Sequence, residues 1–90
     1  MTNKLDPREF EFVLVLDRGV ELTSKFEDAI YGGRCDDATI SVRYGRIHLA
    51  FARRDKSAKD AIISAIRDFR SCGDLGRVVR IDECDLVTQS

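Results

Sequence analysis

Phe10 to Leu16 is apolar at every position except Glu11, the pattern of a strand covered on at least one face. Beyond the turn-rich DRGVEL, Asp17 to Leu22, the spacing becomes helical. Leu22, Phe26, Ala29 and Ile30 share one side, Ser24 with Glu27 resembles a capping box at the entry, and Gly32 and Gly33 end the segment. Ala38 to Arg43 then switches to period two, with Ile40 and Val42 on one face and Thr39, Ser41 and Arg43 on the other. Tyr44 and Gly45 form a tight turn into Arg46 to Ala52, so these two strands read as a hairpin. Ser57 with Asp60 gives a second capping signal, and Ala58, Ala61, Ile62, Ala65, Ile66 and Phe69 follow at spacings of three and four. This clearest helix ends near Cys72 and Gly73, and Arg77 to Asp82 supplies a last short strand through Val78, Val79 and Ile81.

The predicted order is βαββαβ, an α+β chain of the ferredoxin-like, split βαβ type: a four-stranded antiparallel sheet with two helices on one face. One domain over residues 10–84 is expected, after a polar lead at 1–9 and before a tail at 85–90. The helices carry enough apolar surface for one sheet face only. On the first strand Phe10, Phe12, Leu14 and Leu16 are expected to meet them, which turns Glu11, Val13 and Val15 to the open face beside Thr39, Ser41, Arg43, Arg46, His48 and Ala50. Val13 and Val15 there would form an apolar patch whose burial calls for another chain, flanked by Arg43 and His48. Val13, Val15, Arg43 and His48 are therefore the predicted partner-binding residues, for a protein partner or a second copy.

Charge and composition narrow the classes. With 15 Lys and Arg against 16 Asp and Glu the net charge is −1, unlike a protein that lives on phosphate contacts. The local basic run Arg53, Arg54, Lys56 and Lys59 reads as a solvated helix entry. RYGRIHLAF, Arg43 to Phe51, falls where an RNA-recognition domain would carry its base-stacking strand, but only Gly45 and Phe51 fit cleanly, and Arg46 and His48 replace the stacking aromatics. A plain alternating strand accounts for it. Three cysteines, Cys35, Cys72 and Cys84, have neither CxxC spacing nor a histidine partner, which argues against a disulfide framework or a zinc site. No apolar run approaches a membrane span, and no leader pattern precedes the domain, so a cytoplasmic location is expected.

Catalytic chemistry is not legible. His48 is the single histidine, and no Ser, Cys or carboxylate has a recognisable nucleophile or acid–base motif around it. Asp36 and Asp37 are adjacent and point to different sides, a poor metal cage. Asp17, Arg18 and Gly19 stand where an acylphosphatase would carry its glycine-rich phosphate loop and where copper-carrying domains need two cysteines. The same DRG resembles the amino-acid-holding loop of ACT-type regulatory domains over three residues only. No catalytic residue, metal or cofactor is expected.

A broader resemblance covers most of the chain. FEFVLVLDRGVELTSKFEDAIYGGRCDDATISVRYGRIHLAF, AIISAIRDFR and GRVVRIDECDLVTQS, with CDDATIS and DLVTQS the most specific stretches, resemble the N-terminal portion of a bacterial family of small antitoxin-like or helix-turn-helix regulatory proteins. In that family a DNA-binding helix-turn-helix follows the equivalent of Asp85 to Ser90. An acidic group common in the hairpin's second strand is replaced here by Phe51, Ala52 and Arg53. The resemblance implies a non-enzymatic accessory domain that dimerises or binds a protein partner, with DNA read only by a segment absent from this chain. Leu86 to Ser90, which look like the lead and N-cap of a further helix, agree with that. The alternative is a free-standing inhibitor or immunity protein acting on a partner.

Overall fold

The computed structural model describes residues 8–84, with side chains as far as Asp82. Along them run β1 (Arg8–Leu16), α1 (Ser24–Tyr31), β2 (Thr39–Arg43), β3 (Arg46–Asp55), α2 (Ala58–Ser71) and β4 (Val78–Cys84). The four strands make one antiparallel sheet in the order β2-β3-β1-β4, so the α+β class and the element order read from the periodicity stand. β1 and β3 pair along the centre, and β2 and β4 are the edges.

Phe12, Leu14 and Leu16 of β1 and Ile47, Leu49 and Phe51 of β3 meet Phe26 and Ile30 of α1 and Ala61, Ala65 and Phe69 of α2 in one buried cluster. Both helices thus cover the same sheet face. Phe12 and Phe51, opposite each other in register, stack with ring centroids 5.5 Å apart. The inward stripe of α2 is narrower than expected: Ile62 and Ile66 are half-buried flanks, and the small Ala61 and Ala65 take the centre. Leu22, expected inward, lies before the helix and is exposed.

Helix entries follow the capping rule with one shift. Ser57 accepts from the Asp60 amide at 3.1 Å as expected. For α1 the cap is Thr23, one residue before the expected Ser24, and its hydroxyl accepts from the Phe26 amide at 3.1 Å. Either residue type can serve, and the extended backbone of Thr23 decides. Between β2 and β3, Tyr44 and Gly45 both hold positive φ, 54° and 75°, which marks the tight hairpin turn that suits sheet twist.

The element ends differ from the expectation. Arg8 and Glu9, read as polar lead, belong to β1, opposite Asp55 and Arg54. Opposite charges in cross-strand register favour that extension, which alternation of apolar residues cannot report. β3 consequently runs to Asp55, and Arg53 is a strand residue rather than part of a solvated helix entry. Residues 85–90, the expected tail, lie outside the described residues. No helix among the described residues is long and apolar enough to cross a membrane.

Candidate functional site

The β3 register places the open face in rows. Val15 stands opposite His48 on one side and Arg80 on the other, and His48 is in turn opposite Ser41. One row away Val13 lies between Ala50 and Asp82. At the hairpin end Arg43 is directly opposite Arg46. Val13, Val15, Arg43 and His48 therefore do share the face without helices, as strand alternation requires.

The expected apolar patch is corrected. Val15 is 0 % exposed within the single chain, so its burial requires no second chain. It sits in the central strand between two neighbours with larger side chains, His48 and Arg80, whose apolar portions can shield a short aliphatic group. Val13 is half-buried between smaller neighbours. The open face is thus a covered apolar floor with a charged upper layer.

That layer is basic at one end. Arg18, Arg43, Tyr44, Arg46, His48 and Arg80 line a cleft of about 310 Å³. Arg18 arrives from the turn after β1, which is anchored to the start of β4 by the Asp17 amide donating to the Arg77 carbonyl at 2.9 Å. Arg80 donates to both oxygens of Asp82 at 2.8 and 3.1 Å, and this holds the Asp82 carboxyl below its ordinary range. Arg18, Arg43 and Arg46 have no side-chain partner among the described residues. Strand alternation puts Arg43, Arg46 and His48 on this face, and the structure adds Arg18, Tyr44 and Arg80, which alternation along β1 to β3 does not predict. Alternation on β4 would have pointed to Arg80, but the positions of Arg18 and of β4 beside β1 are tertiary facts.

Groups that could do chemistry are otherwise engaged. His48 Nδ1 lies 3.1 Å from the Arg46 carbonyl. The buried Cys35 thiol is pushed up to about 12, by burial first and then by its neighbour Cys72, so it stays protonated and a weak nucleophile. Cys72 Sγ donates to the Asp68 carbonyl at 3.4 Å. Across the helix side, Arg53 donates to Asp37, Asp68, Ser64 and the Arg34 carbonyl, and its guanidinium lies 4.9 Å from the Phe51 ring centroid. Burial works to lower its pKa, yet the hydrogen bonds to Asp37 and Asp68 outweigh this and raise it. Among the described residues no group of three or more His, Cys, Asp or Glu side chains comes together.

A second concave surface lies where α2 overhangs the β4 edge. This cleft of about 390 Å³ is lined by Ile66, Phe69, Val78, Val79 and Ile81, with Arg70, Arg77 and Arg80 at its margin. Val79 and Ile81 are 41 % and 38 % exposed. No family model, curated protein or solved structure matches the chain.

Proposed function

We propose that this chain is a non-enzymatic protein-interaction and dimerisation module, serving a bacterial DNA-binding regulator or antitoxin-like protein whose DNA contacts come from another segment. The observation that carries the reading is the β4 edge. There a strand with one side unpaired among the described residues borders the apolar cleft formed with Ile66 and Phe69. Unsatisfied ladder groups beside apolar surface are the two ingredients of strand addition, in which backbone hydrogen bonds hold the added strand and the cleft takes its side chains.

A second copy fits this edge. Antiparallel pairing of two β4 strands about a two-fold axis at Ile81 sets each Arg80 opposite the other copy's Asp82, an attractive cross-strand pair, and adds the two Ile81 side chains to the helix side. The open face, where the sequence placed the contact, has lost its apolar argument with the burial of Val15. We also assign the chain to the ferredoxin-like group. In support stand the central β1·β3 pair, the edge positions of β2 and β4, and the single core shared by both helices.

Sedimentation equilibrium over a range of concentrations tests the module. We expect a dimer that Ile81→Lys converts to a folded monomer, since Ile81 is partly exposed and its replacement leaves the core intact. A wild-type protein that stays monomeric at millimolar concentration, or an Ile81→Lys protein as dimeric as wild type, defeats pairing at this edge.

A further inference from the structure

We propose that the arginine-walled end of the open sheet face binds the phosphate ester of a nucleotide, with Tyr44 stacking on the attached base. The site shares Arg80 with the β4 edge, but Arg18, Arg43, Tyr44 and Arg46, on which the proposal rests, come from the turn after β1 and from the β2–β3 hairpin, so it does not depend on pairing at β4.

The hairpin end carries an electrostatic cost without a structural return. Arg43 and Arg46 face each other directly across the β2–β3 ladder on the same side of the sheet. Like charges in that position destabilise a hairpin. Nothing among the described residues offsets them: neither side chain has an acidic partner, and neither does Arg18 nearby. Asp82, a carboxylate of the same face, is held in both oxygens by Arg80. Guanidinium groups arranged around one small cleft, with their charges unmatched, form a complement to a multiply charged anion. Phosphate oxygens suit the planar two-pronged donor geometry of arginine.

An exposed ring stands beside them. Tyr44 is 91 % exposed, the most exposed of the large apolar or aromatic side chains among the described residues, and it lines the same cleft. Its φ of 54° is the left-handed conformation that Gly, Asn or Asp adopt at lower cost. The hairpin thus spends a strained position and an exposed aromatic group at one spot. An unpaired base supplies the flat partner that such a ring lacks, and an acidic peptide does not. The ligand is therefore a nucleotide, either free or within a single strand. Base-paired duplex is the poorer fit because its bases are not available to Tyr44.

Fluorescence anisotropy of a labelled oligothymidylate of about ten nucleotides, titrated with the full chain at low salt, tests this. We expect saturable binding whose logarithm falls with log salt at a slope of about −2, the value for three phosphate contacts on a single strand. Arg43→Ala and Arg46→Ala should each weaken binding by about ten-fold and flatten that slope by about 0.7, and Tyr44→Ala should weaken it by about ten-fold with the slope unchanged. Arg67→Ala, which removes an exposed cation from α2, should change nothing. The melting temperature of Arg43→Ala should be no lower than that of wild type, since a repulsion is removed, so lost binding will not report lost folding. Thymidine monophosphate competing as well as unlabelled oligothymidylate would identify a free nucleotide as the ligand, and much weaker competition would identify a strand. Absence of binding, wild-type affinity in both arginine variants, unchanged affinity in Tyr44→Ala, or equal competition by a polyglutamate peptide would each overturn the proposal.

Discussion

Arg53 grips Asp37 in a two-pronged contact, Nε to Oδ2 at 2.9 Å and Nη2 to Oδ1 at 3.0 Å. The same guanidinium reaches α2 through Asp68 at 2.9 Å and Ser64 at 3.1 Å, so one strand residue ties the α1–β2 connection to the second helix. Removal of Arg53 leaves the largely buried Asp68 carboxylate without its cation. We expect Arg53→Ala to cost about 2 to 3 kcal/mol in urea unfolding. Arg53→Lys should recover little of it, because an ammonium cannot satisfy both aspartates and the Arg34 carbonyl together. A loss below about 0.5 kcal/mol, the level of an ordinary surface site, would show the network to be incidental.

Val15 belongs to the open face and is nonetheless sealed. Val15→Lys should destabilise the chain by about 3 kcal/mol or more, since it forces a cation into a closed space next to Arg80 and His48. Val13→Lys, at a half-buried position opposite Asp82, should be far milder. Thermal melts of the two variants side by side decide the matter: equal midpoints would mean that Val15 is not closed off in solution.

Burial along α2 ranks its apolar positions. Phe69→Ala empties the centre of the core and should cost about 3 to 5 kcal/mol. Ile66→Ala, at the rim, should cost only about 1 to 2 kcal/mol because part of its surface is already wet. Denaturant midpoints in the reverse order would place the helix in a different rotation.

Alkaline titration should expose Cys35. Its thiol is raised from an ordinary 9.0 to about 12, by burial and by Cys72 beside it. Below 9.0 both folded and unfolded chains hold the proton and stability is unaffected. Between 9.0 and about 12 only the unfolded chain gives it up, so stability falls as pH rises through that window. Urea midpoints across the window should drop more steeply for wild type than for Cys35→Ala, and native Cys35 should resist alkylation at neutral pH until the chain unfolds. Parallel curves for the two proteins would contradict a suppressed thiol.

The alternation of Ile40 and Val42, the spacing of Ala61, Ala65 and Phe69, the cap at Ser57 and the turn at Tyr44–Gly45 are local signals, and by themselves they determined the α+β class, the element order and the assignment of Phe12, Leu14 and Leu16 to the helix side. They also placed Val13, Val15, Arg43 and His48 on one face. Tertiary structure alone decided what that face is. Whether Val15 is exposed depends on which strands flank β1, and those are β3 and β4, with His48 and Arg80 at its sides. Whether Arg53 is solvated depends on Asp37 and Asp68, 16 and 15 residues away. The convergence of Arg18, Arg43, Arg46 and Arg80 in a chain of net charge −1 depends on bringing the ends of separate segments together. Periodicity records how each element meets solvent along its own axis, and carries no information about which distant side chain will lie beside it.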